Sequence, residues 1–237
     1  GVSRIILDED LKEERSNSYT LSINYDKPSY NYIYGFTFEF FNTHLEDVFY
    51  QEYSGLDEYG QVFIKKNGAE ALVRGFSMES RLNIAKKFQL EAAFTIQESA
   101  YNKDILYSEN LEPTREFLRT PKRYGYFTTY YLFSEIFKIS INAVYTGSMN
   151  LVHFAGSPNV NFDEYFKTED FLDMGIRFSI TNNFDRAGVS INSNFGIKNL
   201  LNDYQNNFDL FKNRDSNFVY GPASPRVFYI EFILNSL

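Results

Sequence analysis

Apolar and polar residues alternate one for one along much of this chain. In FQLEAAFTIQ, Phe88, Leu90, Ala92, Phe94 and Ile96 share one parity. Gln89, Glu91, Thr95 and Gln97 share the other, with Ala93 among them. FLDMGIRFSI sets Leu172, Met174, Ile176, Phe178 and Ile180 against Asp173, Gly175, Arg177 and Ser179. GVSINSNFGI and KISINAVY repeat the pattern, the latter with Ile139, Ile141, Ala143 and Tyr145 against Lys138, Ser140 and Asn142. A period of two is the spacing of strands with unlike faces. It predicts strands at 17–26, 31–50, 69–84, 87–99, 121–134, 137–149, 169–181, 188–199 and 225–235. No segment carries a helical period.

The connections between these strands alternate in length. Those near 26–29, 85–87, 134–136 and 182–186 are short, and those at 51–68, 100–120, 150–168 and 200–224 are long. That layout is an up-and-down meander with one plain rim and one elaborate rim, the arrangement of outer-membrane barrels. Strands of ten to twenty residues also exceed the five or six usual in globular sheets. A tilted strand needs about nine to eleven residues to cross a bilayer. On the polar parity, Arg177, Asp173, Lys198, Gln89, Glu91, Glu79, Arg81 and Asn142 are too hydrophilic for a dry core and suit a wide, wet interior.

Composition sharpens this picture. Aromatic residues make up 19% of the 237 residues, as Phe 25 and Tyr 19 with Trp 0. So many rings exclude disorder. They suit pleated, half-buried surfaces and the aromatic girdles of membrane barrels. The clusters Tyr124/Tyr126/Tyr130/Tyr131 and Phe36/Phe38/Phe40/Phe41 are expected at such rims. Mean hydropathy is only −0.37, and no stretch is apolar for long enough to be a transmembrane helix. The chain opens on Gly1 and a charged stretch rather than a signal peptide, which reads as a mature form or a fragment. There are no cysteines, hence no disulfide framework and no thiolate metal site. Net charge is −8 without a basic cluster, which argues against nucleic acid.

Several short stretches carry a resemblance. Asn199-Leu200-Leu201-Asn202-Asp203-Tyr204 ends a strand and opens a long polar loop. Tyr220-Gly221-Pro222-Ala223-Ser224-Pro225-Arg226 leads into a last alternating strand that contains Phe232. Leu11-Lys12-Glu13-Glu14-Arg15-Ser16, Arg119-Thr120-Pro121 and Tyr145-Thr146-Gly147 precede or end other strands. Together, in this order, they resemble the TonB-dependent outer-membrane receptors. Glu13 stands where that family usually has proline.

The resemblance implies an all-β fold, about nine C-terminal strands of an antiparallel barrel of about 22 strands closed around a plug. It places residues 1–237 in one domain, the C-terminal portion of that barrel, in the outer membrane of a Gram-negative cell. It implies no enzyme activity and no cofactor. It implies active uptake of a scarce nutrient: an iron–siderophore complex, haem, cobalamin, a glycan or a peptide. The implied partners are outer-membrane lipid, the plug and TonB through segments absent here, the transported ligand, and in some members a surface lipoprotein. Family barrels usually end on an aromatic residue; here the last ring is Phe232, and the chain continues through Asn235 and Ser236 to Leu237. Asn199, Tyr204, Tyr220, Gly221, Pro222, Pro225, Arg226 and Phe232 are expected to act structurally.

Candidate chemistry is sparse. His153, at the start of a long loop and beside aromatics, is the one ligand-contact candidate; a rim histidine with a hydrogen-bond partner is the plainer expectation. His44 sits within a long strand and is expected to be structural. The oxygens of Asn202, Asp203, Asn206, Asn207, Asp209, Asn213 and Asp215, beside Arg214, could ligate a hard cation, but their spacing matches no defined calcium loop. There is no G-x-S-x-G, H-E-x-x-H or phosphate-binding glycine loop. A rim phospholipase would need His153 beside Ser148 or Ser157. The competing architectures are a complete barrel of eight to ten strands serving as pore, adhesin or structural protein, and a soluble β-protein. The first requires the terminal strands to pair with each other.

Overall fold

A computed structural model describes residues 2–156, 160–211 and 214–236. Its strands are β1 (Val2–Leu7), β2 (Arg15–Pro28), β3 (Tyr32–Glu46), β4 (Phe49–Leu56), β5 (Gly60–Asn67), β6 (Ala71–Ile84), β7 (Phe88–Ile105) and β8 (Thr114–Glu116). They continue with β9 (Arg123–Leu132), β10 (Phe137–Thr146), β11 (Asn150–His153), β12 (Glu164–Lys167), β13 (Phe171–Phe184), β14 (Val189–Lys198) and β15 (Val227–Ser236). A single 3-10 turn, Asp185–Ala187, joins β13 to β14.

Nine of these strands form one antiparallel meander in chain order: β2, β3, β6, β7, β9, β10, β13, β14, β15, with β8 alongside β7. They correspond to the nine strands that the alternation predicts. The sheet is open: among the described residues β2 and β15 are its two ends, and they do not pair with each other. The complete small barrel requires that pairing, so the structure does not support it.

Cross-strand partners share a face, so the register decides which parity is which. Ser18, Thr20, Ser22, Asn24 and Asp26 of β2 lie opposite Thr43, Phe41, Glu39, Thr37 and Gly35 of β3. The same face continues through Glu79 and Arg81, Glu91 and Gln89, Thr128, Asn142 and Ser140, and Arg177 to Gly196. The opposite face carries Leu21, Ile23, Phe38, Phe40, Phe76, Met78, Phe94, Ile96, Ile176, Phe195, Ile230 and Phe232. Many of these side chains are well exposed, Ile230 at 64% and Phe232 at 69%. In water so broad an apolar face would be untenable; against hydrocarbon it is the stable arrangement.

The polar face is tied together rather than merely wet. Arg81 donates to Asp26 Oδ1 at 3.1 Å and to Glu79 Oε1 at 2.9 Å, and Thr37 Oγ1 donates to Asn24 Oδ1 at 2.8 Å. Lys138 and Lys198 lie over the rings of Tyr130 and Tyr229. At Gly196 a Cβ would sit 2.4 Å from the Tyr229 ring, so glycine lets the ring lie flat on the neighbouring strand.

Four expectations change. The predicted strand 31–50 divides into β3 and β4 at Asp47, whose φ of 54° turns the backbone out of the strand. The long connection 51–68 is mostly a β4–β5 hairpin, extended by β1 in parallel with β5. Of the tyrosine cluster on β9, only Tyr131 faces outward with Phe88; Tyr124, Tyr126 and Tyr130 face inward opposite Thr95, Ala93 and Gln89. Phe36, Phe38 and Phe40 face outward, but Phe41 pairs inward with Thr20. In each case a ring follows the parity of its strand.

The short connections are tight. Ala85 and Lys86 both adopt positive φ, 52° and 58°, as the first-choice hairpin turn requires. Around this rim Tyr131 and Phe133 meet edge to face at 4.5 Å, and Tyr30, Tyr32, Phe133 and Phe184 are exposed, which completes an aromatic belt. Packed hydrophobic core lies at the other end. Val48, Ala71, Tyr101 and Ile105 form one buried cluster, and Phe63, Val152 and Phe154 a second.

Candidate functional site

The long connections converge above the inward face of the sheet. Tyr101 shares the parity of Gln89 and Thr95, and its ring stacks on Phe117 at 4.9 Å. From the β4–β5 hairpin, Phe63 packs edge to face on Phe154 at 5.2 Å, and Tyr53 closes the trio. Tyr101, Phe117, Phe63 and Phe154 bound a cavity of about 460 Å³ with Tyr50, Tyr107 and Arg119. Burial pushes the Tyr107 phenol upward from its usual pKa.

Arg119 is the one full charge among the cavity's lining residues. Its φ of 59° is rare for a residue with a side chain. Its guanidinium donates to the carbonyl of Val219 at 3.2 Å and to that of Asn217. Burial pulls its pKa below the ordinary range, opposed by Asp215. Only two of its five N–H donors are used in those bonds, so the remainder can receive an acceptor from the cavity.

The 199–226 loop is held over β11 and β12 by a buried polar network. His153 is 6% exposed. Its Nε2 lies 3.0 Å from Asp209 Oδ2, its Nδ1 3.8 Å from Glu164, and its ring stacks on Phe218 at 3.6 Å. Asp215 accepts the Phe154 N–H at 3.0 Å and the Asn217 N–H at 2.8 Å. Burial raises the Asp215 carboxyl pKa, while these N–H bonds oppose the rise. Gln205 is 2% exposed, accepts the N–H groups of Tyr220 and Gly221, and donates to the Phe218 carbonyl. Ser108 donates to Asp163, which also accepts the Ala155 N–H at 2.8 Å.

The motif residues secure the base of this loop. Asn199, at φ 48° and 4% exposed, donates to the carbonyls of Asp203 and Ser224 and accepts the Asp203 N–H. Asn202 accepts the Arg226 N–H at 3.0 Å, and Asp203 accepts the Leu172 N–H at 2.7 Å. Tyr220 donates to Asn207 at 2.7 Å, Gly221 lies against Phe171, and the Pro222 carbonyl accepts the Gln205 N–H. Tyr204 is half-buried, Pro225 exposed, and Phe232 outward on β15 opposite Ser193.

Other candidates fall elsewhere. His44 lies on the outward parity of β3, 3.3 Å from Glu70. The structure does not join His153 to Ser148, whose N–H bonds Asp170; Ser157 and Asn213 lie outside the described residues. Among the described residues, no group of three or more His, Asp or Glu side chains is placed to hold a metal ion. The carboxylates of Asp203, Asp209 and Asp215 serve loop hydrogen bonds instead. The cavity's Tyr107 and Phe117 have no signal in the period-two pattern, because loop residues obey no strand period. The one available hint was Arg119, which stands in the Arg-Thr-Pro stretch but reads there only as the lead-in to β9.

A family model described as the β-barrel of TonB-dependent-receptor-like proteins matches residues 2–200. The chain belongs to that family. Its members are outer-membrane β-barrels, receptors and transporters rather than enzymes, and this chain takes the same location. No curated protein sequence matches it closely enough to count. Among solved structures, the ferric-catecholate import receptor Fiu of E. coli K12 matches over 94% of this chain and 28% of its own, with 17% identity and a TM-score of 0.62. The siderophore receptor PirA of Acinetobacter baumannii matches over 96% of this chain and 32% of its own, at 16% identity and a TM-score of 0.61. The copper transporter OprC matches over 97% and 32%, at 12% identity and a TM-score of 0.61. The chain thus spans about a quarter to a third of these proteins. At such identities they share its fold.

Proposed function

We propose that this chain is the C-terminal part of the barrel of a TonB-dependent uptake receptor, and that cargo is selected at the aromatic cavity beside Arg119. The single observation that carries the reading is this cavity's position, at the long-loop mouth of an open, two-faced sheet. In the complete receptor, upstream strands continue the sheet from β2 and β15 into a closed barrel around a plug, and TonB acts on the plug. The polar recess on the inward face, which includes Asn142, Asp173, Arg177, Lys198 and Tyr229, supplies hydrogen bonds and charge for the plug to rest on.

Aromatic walls with one desolvated guanidinium suit a ringed, anionic chelate better than a neutral glycan. That choice accords with neighbours described as ferric-catecholate and ferripyoverdine receptors. His153 acts from behind the cavity by anchoring the loop that presents Asn217 to Arg119.

The test uses the full-length receptor expressed in a strain lacking other uptake routes. Growth is scored on iron chelates, haem, cobalamin and oligosaccharides as limiting nutrients. Arg119→Ala and Tyr107→Ala should lower uptake of one ringed anionic chelate at least tenfold, with the receptor's outer-membrane level unchanged. Wild-type uptake of every nutrient in both variants would reject the cavity as the selectivity site.

A further inference from the structure

Asp215 opens a compact turn where the 199–226 loop meets the aromatic cavity. The order Asp215-Ser216-Asn217-Phe218 suits that turn, because an aspartate at its first position accepts the backbone N–H two residues on. Asp215 Oδ1 takes the Asn217 N–H at 2.8 Å, and the Asp215 carbonyl takes the Phe218 N–H at 3.2 Å. The second carboxylate oxygen, Oδ2, reaches just past β11 and takes the Phe154 N–H at 3.0 Å. One carboxylate thus joins two residues that line the cavity, Phe154 and Asn217, from separate connections. Asp215 is 2% exposed, and its own N–H is fixed on Asp209 Oδ2 at 2.9 Å, the carboxylate that also meets His153.

The turn presents a carbonyl to the cavity's cation. Asn217 offers its carbonyl oxygen to the Val219 N–H at 2.8 Å and to the Arg119 guanidinium. An arginine has a flexible stem, but its five donors form a rigid fork. Once two of them are fixed on the Asn217 and Val219 carbonyls, the direction of the others is set. Asp215 and Arg119 do not pair directly: the carboxylate oxygens hold backbone N–H groups, and the guanidinium holds carbonyls. The negative charge therefore stays near the guanidinium without occupying its donors.

We propose that Asp215 is a specificity-determining positioning residue. By holding the Asn217 N–H it keeps the Asn217 carbonyl against Arg119, and so aims the free guanidinium donors at the anionic group of a ringed ligand. That role depends on the cavity being the cargo site, as proposed above. Two other roles make opposite predictions. A counter-charge would weaken anion binding, so its removal would strengthen it. A plain loop staple would serve charged and neutral ligands alike.

The experiment is isothermal titration calorimetry of the full-length detergent-solubilised receptor with 1-naphthoate and with its neutral amide, 1-naphthamide. Wild type should favour the anion by about tenfold, the scale of one charge-assisted hydrogen bond. Asp215→Asn removes the charge but keeps an oxygen for the Asn217 N–H, so it should hold that preference to within about threefold. Asp215→Ala keeps neither and should lower the preference to about twofold or less. A preference raised in both variants, lowered equally in both, or unchanged in Asp215→Ala would overturn the proposal. Unchanged heat-modifiable migration verifies folding. Should Asp215→Ala misfold, Asn217→Pro removes the same hydrogen bond from the donor side with the carboxylate intact; the preference should fall as far, and an unaltered one would overturn the proposal. Arg119→Ala separates the two readings. Wild-type naphthoate binding in that variant, or none in the wild type, would reject the cavity as the cargo site. Weakened binding there beside an unchanged preference in Asp215→Ala would reject the role of Asp215 alone.

Discussion

Asn199 does three jobs that few residues can combine. It takes a left-handed φ, bridges two carbonyls with its amide N–H groups, and accepts a backbone N–H, all while nearly fully buried. Asn199→Ala should cost the receptor about 1–3 kcal/mol for the polar groups left unmatched. Asn199→Gly should be milder by about 1–2 kcal/mol, because glycine accepts the positive φ without the Cβ clash an alanine meets. Equilibrium unfolding in detergent or lipid measures both, and equal losses would remove the conformational part of the argument. A second residue-scale prediction concerns the faces. Phe94→Arg or Ile176→Arg sets a charge against hydrocarbon and should cost about 2–4 kcal/mol at mid-membrane depth. Gln89→Arg, on the inward face, should cost much less. Ser179 is the wrong control despite its inward parity, because it is only 9% exposed and an arginine there would be crowded. Parity was legible in the chain and crowding was not, because crowding depends on which neighbours the register brings beside a residue.

Among the elements, the β4–β5 hairpin shows what alternation misses. Its turn is clamped by Asp57, whose carboxylate accepts the N–H groups of Tyr59 at 2.8 Å and Gly60 at 3.0 Å, and pairs with Arg4 of β1 at 2.7 Å. The backbone N–H bonds, aided by Arg4, hold the Asp57 carboxyl below the usual carboxylate range. A depressed pKa means the unfolded state takes up the proton first. The clamp's contribution is thus present above about pH 4, the ordinary aspartate value, and is lost as pH falls through the lower folded value. Hydrogen exchange at residues 2–7 and 56–61 should therefore speed up, relative to intrinsic rates, as the receptor is acidified below pH 4. Asp57→Asn should remove that pH response, and an unaltered response would mean that another group governs it. The nine long strands were readable because each states its own two faces through a period of two. The β1–β5 pairing was not, since parallel partners more than fifty residues apart leave no local mark.

For the whole molecule, the two open edges have a direct consequence. β2 and β15 each present one row of unpaired backbone groups, which hydrocarbon does not tolerate. Residues 1–237 expressed alone should fail to give a heat-modifiable monomer in detergent, and the upstream strands supplied as a second chain should rescue it. A stable monomeric barrel from this chain alone would contradict the open sheet. What the amino-acid order determined unaided was the wall: strand number, facing, and the alternation of plain and elaborate rims. Those properties follow from side-chain parity and from turn residues, which act over a few positions. The mouth was decided only by tertiary structure. Phe63, Tyr107, Phe154 and Asn217 come from separate connections, and they enclose a cavity only because the register of the sheet brings those connections together.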